Sequence, residues 1–197
     1  MTENQNKISL DCHRYDVKGD GDCLFHSVEM CLKGSQYQHM TPELMRSLVA
    51  RSVLRPRIFD RIVLDTDNVI ETWMNMYRSG IQDEVAHVAD LVKLKKKATD
   101  LKHVDLMGVC EKMLDKSLYW GDEYAISFLE KLLNIRFLVI RDGDPAKRGT
   151  DKVQRYPLFY ILLYLKGGHY EPLSIKEKFQ FNNVDDLPYA ARVMFDL

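Results

Sequence analysis

A chain of 197 residues, 46% hydrophobic and 29% charged with a formal net charge of −1, has the length and mixture of one globular domain with a sizeable core. The near balance of 28 basic and 29 acidic side chains leaves no excess of positive charge to bind a nucleic-acid backbone. No apolar run approaches a membrane span, and the polar start Met1-Thr2-Glu3-Asn4-Gln5-Asn6-Lys7 lacks the apolar centre of a secretory signal, so a cytoplasmic protein is the expectation. The four cysteines, Cys12, Cys23, Cys31 and Cys110, form no CxxC pair and show none of the regular spacing of a disulfide scaffold, so reduced thiols are expected.

From residue 11 to 17 the chain reads as extended. It leads into Lys18-Gly19-Asp20-Gly21-Asp22, where glycine's access to positive φ and aspartate's local hydrogen bonding predict a tight turn. Cys23, Leu24, Val28, Cys31 and Leu32 then recur at helical spacing, which puts Cys23 where a loop enters a helix. His26, one turn further on, either faces the same side or is a surface or satisfied core histidine. Thr41 and Pro42 mark the N-cap and first position of a second helix. Its apolar face is Met45, Leu48, Val49 and Val53, and it runs to about Leu54 because Pro56 follows.

Three helical patterns follow between Ile58 and Ser117: Val69, Ile70, Trp73, Met74 and Met76-Tyr77, ending near Gly80; Val85, Val88, Leu91 and Val92; and Leu106, Met107, Cys110, Met113 and Leu114. The basic run Lys93, Lys95, Lys96 and Lys97 reads as a solvated helix end. Tyr119-Trp120-Gly121-Asp122-Glu123 opens a helix whose acidic start complements the macrodipole and whose apolar face is Ala125, Phe128, Leu129, Leu132 and Leu133. Residues 135 to 140 form a buried strand, 141 to 155 a polar loop and 156 to 165 a second strand, the two strands being a hairpin or a neighbouring pair. The stretch from Ser174 to Leu197 holds too many apolar residues to be a wholly disordered tail and is expected to pack on the domain. Helices from about 23 to 133 followed by strands from about 135 to 173 make the fold class α+β, with the N-terminal lead as a further edge strand.

Two stretches carry chemistry. A thiol at a helix start lies near the positive end of the macrodipole, which favours the nucleophilic thiolate, and the glycine-rich loop before Cys23 offers unobstructed N–H groups to an oxyanion. Alone, Cys23 also reads as a small buried hydrophobe. Far downstream, Leu165-Lys166-Gly167-Gly168-His169-Tyr170-Glu171-Pro172-Leu173 turns on two glycines and opens an extended segment with a histidine and a carboxylate. A Cys at a helix start with such a His roughly 150 residues later is the sequence form of a cysteine-protease site. A zinc set of Cys12, His13, Cys23 and His26 is disfavoured, because adjacent residues do not easily share one tetrahedral ion.

Gly19-Asp20-Gly21-Asp22-Cys23-Leu24-Phe25-His26-Ser27, then Trp120-Gly121-Asp122-Glu123, then His169-Tyr170-Glu171 resemble, in order, the three motifs of the ovarian-tumour (OTU) family of cysteine proteases. The resemblance covers about residues 15 to 175 and leaves 175 to 197 as a tail of a single domain. It implies a papain-like OTU fold, a small central sheet packed between helical regions, and a thiol-dependent deubiquitinase. Cys23 is then the nucleophile, His169 the general base, Glu171 the orienting acid and Asp20 the organiser of an oxyanion loop of Gly21, Asp22 and Cys23. Trp120, Gly121, Gly168 and Tyr170 then border the substrate channel, although Trp120 taken alone reads equally well as a core aromatic. Ubiquitin, polyubiquitin chains or a ubiquitin-like modifier are the implied partners of a monomer that needs no metal or organic cofactor, nucleic acid or membrane. Two positions depart from the family pattern: Glu171 replaces an Asp or Asn, and Asp122 stands where a second glycine often follows Trp-Gly. An OTU-like ubiquitin-binding module without turnover is the alternative, and a general helical interaction protein a further one.

Overall fold

Successive strand residues face opposite sides of a sheet, and the strands here use that alternation to bury two different apolar sets. The computed structural model describes residues 12–55, 57–58, 103–141 and 156–197. Among them are β1 (His13–Arg14), α1 (Cys23–Leu32), α2 (Pro42–Ser52), α3 (His103–Leu114), α4 (Glu123–Leu133), β2 (Arg136–Arg141), β3 (Tyr160–Lys166), β4 (His169–Ser174) and α5 (Tyr189–Phe195). The four strands form one mixed sheet in the order β1-β4-β3-β2. On one face Phe137, Val139, Ile161, Leu163 and Tyr170 meet the apolar sides of the helices, including Leu24, Val28, Met45, Val49, Leu129 and Leu133. On the other face Leu138, Leu162 and Leu173 are covered by Phe181, Leu187, Ala191 and Phe195 of the C-terminal stretch. Full burial of one such side chain contributes about 1.5–3 kcal/mol, which is why that stretch packs on the sheet.

The fold class is α+β, as the order of patterns implies. The extended lead does form an edge strand, antiparallel to β4 with His13 opposite Ser174. β3 and β4 form an antiparallel hairpin across Gly167 (φ +57) and Gly168 (φ +82), a two-residue turn that requires positive φ at both positions. β2 and β3 are neighbours but parallel, with Phe137 opposite Ile161. That corrects the hairpin alternative, because parallel strands cannot be joined by a tight turn. The second strand starts at Tyr160 rather than 156 and α2 ends at Ser52 rather than Leu54. The helices expected near 69–80 and 85–92, the basic run at 93–97 and nearly all of the loop at 141–155 lie outside the described residues. No helix among the described residues is long and apolar enough to cross a membrane.

Candidate active site

The start of α1 differs from those of α2 and α4. At α2, the Thr41 side chain accepts from the Leu44 amide; at α4, Asp122 accepts from the Tyr124 and Ala125 amides. At α1 the N-cap is Asp22, and it makes no side-chain cap. Its carboxylate turns to Arg46 instead, at 2.6 Å from Nε. The first N–H groups of a helix have no intrahelical partner, and those of α1 are not capped by Asp22.

Cys23 is the first residue of α1 and is buried. Its thiol donates toward the carbonyl of Gly168 over 3.9 Å, and one turn later Ser27 Oγ donates to the carbonyl of Tyr170 at 3.0 Å. A helical turn advances about 5.4 Å and two strand residues about 6.6 Å, so the start of α1 runs alongside β4 in the same direction. The nucleophile candidate is thereby set beside the residue preceding His169. Burial pushes the Cys23 thiol above its ordinary pKa and the Asp20 charge acts the same way, while the N–H groups of Tyr170, Leu24 and Cys23 act against them. Tyr170 buries its ring in the core and gives the site its backbone. Alternation along β4 turns the ring inward.

Asp20 makes several contacts within and around the loop. Its Oδ1 accepts from the Asp22 amide at 3.2 Å and lies 3.3 Å from His26 Nε2, while Oδ2 lies 3.1 Å from Lys18 and 3.2 Å from Lys116. Burial opposes its ionisation, but the lysines and the amide prevail and hold the carboxyl well below the usual range. His26 Nε2 thus faces the Asp20 carboxylate, without forming a hydrogen bond among the described residues. The Asp22 amide, one of the oxyanion donors expected from sequence, is engaged by the Asp20 carboxylate.

The Trp120-Gly121 turn abuts the same loop. A Cβ on Gly21, whose φ is +87, would overlap the Lys116 carbonyl and approach Trp120 to 3.3 Å; one on Gly168 would lie 3.9 Å from the same indole. Half-exposed Trp120 thus borders both glycines. A Cβ on Gly121 would overlap the side chain of fully buried Leu24, whose own Cβ would be 2.9 Å away. Gly121→Ala is expected to lower stability by about 1–3 kcal/mol through overpacking, read by urea denaturation; an unchanged midpoint would show that the turn does not rest on α1.

His169 opens β4, and its ring lies against Gly19, where a Cβ would be 3.9 Å from Nδ1 and Cε1. Two carboxylates approach it. Nε2 is 3.9 Å from Oδ1 of exposed Asp16, and one potential ligand atom each from Asp16, His169 and Glu171 lies within 4.8 Å of the others. Glu171 also lies 3.6 Å from Arg14 on β1, and its Oε2 makes no hydrogen bond among the described residues although shielded from solvent. Asp16 was not found by sequence reasoning, and neither was buried Arg46. The signal for Arg46 was present: it falls between Met45 and Val49 on the inward stripe of α2. Asp16 carries no local signal, because its approach depends on β1 pairing with β4.

The other potential metal-ligand cluster is Asp20, Asp22 and His26, whose carboxylates already face Lys18, Lys116 and Arg46. Neither cluster among the described residues includes a cysteine, and His13 packs edge-on against Tyr15 instead.

A family model described as OTU-like cysteine protease matches residues 18–170, well over half of the chain. No curated protein matches the sequence. Among solved structures, an ovarian tumour (OTU) domain in complex with ubiquitin is 19% identical, covers 93% of this chain and 80% of its own, and has a TM-score of 0.53, which shows the shared fold. An OTU deubiquitinase from Wolbachia pipientis wMel bound to ubiquitin is 16% identical over 85% of this chain and 98% of its own, with a TM-score of 0.47. A viral OTU domain protease from Dera Ghazi Khan virus is 20% identical over 83% and 80%, with a TM-score of 0.42.

Proposed function

The chain belongs to the OTU-like cysteine protease family, and on that footing we propose that it is a deubiquitinase that hydrolyses the isopeptide bond between the C-terminal glycine of ubiquitin and a lysine amine. The observation that carries the reading is the thiol of Cys23 at the start of a helix its N-cap leaves uncapped, set against Gly168 beside His169. An OTU domain of this fold is held in complex with ubiquitin, which is what leads to ubiquitin as the acyl donor.

In this mechanism His169 takes the Cys23 proton and the thiolate attacks the glycine carbonyl carbon. Burial raises the thiol's pKa, and a base within reach of the proton offsets that cost. The negative charge that forms on the carbonyl oxygen is received by the Cys23 amide, with that of Gly21 as the further donor. His169 then protonates the departing lysine amine, leaving a thioester that water hydrolyses. Glycine is selected because Trp120 stands against Gly168 and Gly21 and narrows the approach to the thiol. The reaction draws on no metal or organic cofactor, and the protein acts as a cytoplasmic monomer on ubiquitin and its chains.

The orienting acid is Glu171, with Asp16 as a second carboxylate near the ring. Glu171→Ala is expected to cost about tenfold to a thousandfold in turnover, roughly 1.4–4 kcal/mol. The double variant Asp16→Ala/Glu171→Ala should lose more than the product of the single losses, because each single variant keeps one carboxylate near the imidazole. Wild-type kcat/KM in Glu171→Ala would remove the assignment. A second reading, a ubiquitin-binding module without turnover, is favoured by one observation: Glu171 is placed toward Arg14. Release of a fluorophore amide-linked to the ubiquitin C-terminus, followed by a panel of ubiquitin chains, tests the proposal; binding without release would favour the second reading.

A further inference from the structure

Arg46 is buried to 5% exposure in the interior, where a charge persists only if its donors are met. Its Nε donates to Asp22 Oδ1 at 2.6 Å. Nη1 donates to the carbonyls of Met113 at 2.8 Å and Tyr119 at 2.9 Å, and Nη2 donates to the carbonyl of Gly21 at 2.9 Å. The guanidinium also lies 5.0 Å from the Phe25 ring centroid and 5.8 Å from that of Tyr119. One planar fork thus joins α2, the last turn of α3, the residue before Trp120 and the loop before Cys23.

The consequence lies in two peptide planes. The carbonyl of Gly21 and the amide of Asp22 belong to one trans peptide unit and point opposite ways. Arg46 holds the carbonyl and Asp20 holds the amide, so this unit is gripped on both sides. The next unit is held by its Asp22 carbonyl, which accepts from the His26 amide at 2.8 Å; its other end is the Cys23 amide, which is thereby aimed away from the helix. A buried ion pair is weak support for stability, and apolar replacement is often neutral. What an arginine supplies that an apolar residue lacks is this simultaneous hold on four acceptors.

Resting on the deubiquitinase reading, we propose that Arg46 is a positioning residue: it fixes the Gly21–Asp22 peptide so that the Cys23 amide meets the oxyanion, and it acts on turnover without touching substrate. Arg46→Met alone strands the Asp22 carboxylate, so the main variant is Asp22→Asn/Arg46→Met, with Arg46→Lys retaining charge but not the fork. In steady-state hydrolysis of the ubiquitin fluorophore amide, both are expected to lose about 10²-fold in kcat with KM held within about threefold. Hydrogen exchange should quicken across residues 18–25 while β2 and β3 stay protected. Wild-type kcat in either folded variant, unchanged exchange across 18–25, or a uniform rise of exchange throughout the chain would each overturn the proposal. If the double variant does not fold, Arg46→Lys decides by the same readouts. Should the wild-type chain release no fluorophore, the deubiquitinase reading is what fails, and the exchange comparison alone decides the role of Arg46.

Discussion

Cys23→Ala is expected to abolish hydrolysis of ubiquitin conjugates, a loss of about 10⁵-fold or more if the thiol is the nucleophile, while the fold survives. The substitution removes one sulfur whose approach to the Gly168 carbonyl is long, at 3.9 Å, and whose other polar neighbours are backbone N–H groups, so the helix start and its neighbours have little reason to move. No other thiol is placed to take over. Cys31 is fully enclosed in the helical core and burial pushes its thiol far above the ordinary value; burial raises the Cys110 thiol as well. Cys12 precedes β1, is partly exposed and packs against the apolar cluster of Leu138, Leu162 and Leu173, not against the helical cluster that holds Cys23. Cys12→Ser, Cys31→Ser and Cys110→Ser should therefore keep turnover, with the two buried sites losing stability because a hydroxyl replaces an enclosed thiol. Substantial turnover by a folded Cys23→Ala protein would contradict the mechanism.

His169→Ala should cost nearly as much, about 10³–10⁴-fold in kcat, because it removes both the base for the thiol and the acid for the leaving amine. Its pH dependence separates this role from a structural one. Without the imidazole, attack depends on spontaneous ionisation of a thiol that burial has pushed above its ordinary value. Lower pH keeps that thiol protonated and higher pH releases it, so the residual rate should climb about tenfold per pH unit through neutrality and go on rising past the ordinary thiol range. The wild-type rate, in which the imidazole takes the thiol proton, should not show this continued climb. Parallel pH profiles in the two proteins would argue that His169 holds structure rather than protons.

Much of this site was legible because its parts are local. Two glycines and two aspartates before an apolar helical pattern were enough to place Cys23 at a helix start, and Gly167-Gly168 enough to place His169 at the head of a strand. Period-two alternation put Tyr170 inward, as its burial shows. What stayed hidden depends on contacts across the fold. β1 is two residues long, so nothing in the chain announces that Asp16 approaches His169 or that Arg14 approaches Glu171. Arg46 was passed over because periodicity counts apolar residues, and a charge on the inward stripe reads as noise unless its acceptors, the carbonyls of Gly21, Met113 and Tyr119, are known. The parallel pairing of β2 with β3 was equally unreadable, since both strands are continuous apolar runs that suit either direction.

The central claim is that Cys23, activated beside His169, attacks the C-terminal carbonyl of ubiquitin, and ubiquitin bearing an electrophile at that terminus tests it most directly. Incubated with the wild-type chain and read by intact mass and peptide mapping, it should form one covalent adduct, on Cys23. The adduct should be absent in Cys23→Ala and formed far more slowly in His169→Ala. No adduct with folded wild-type protein, or an adduct carried by Cys12, Cys31 or Cys110, would contradict the account.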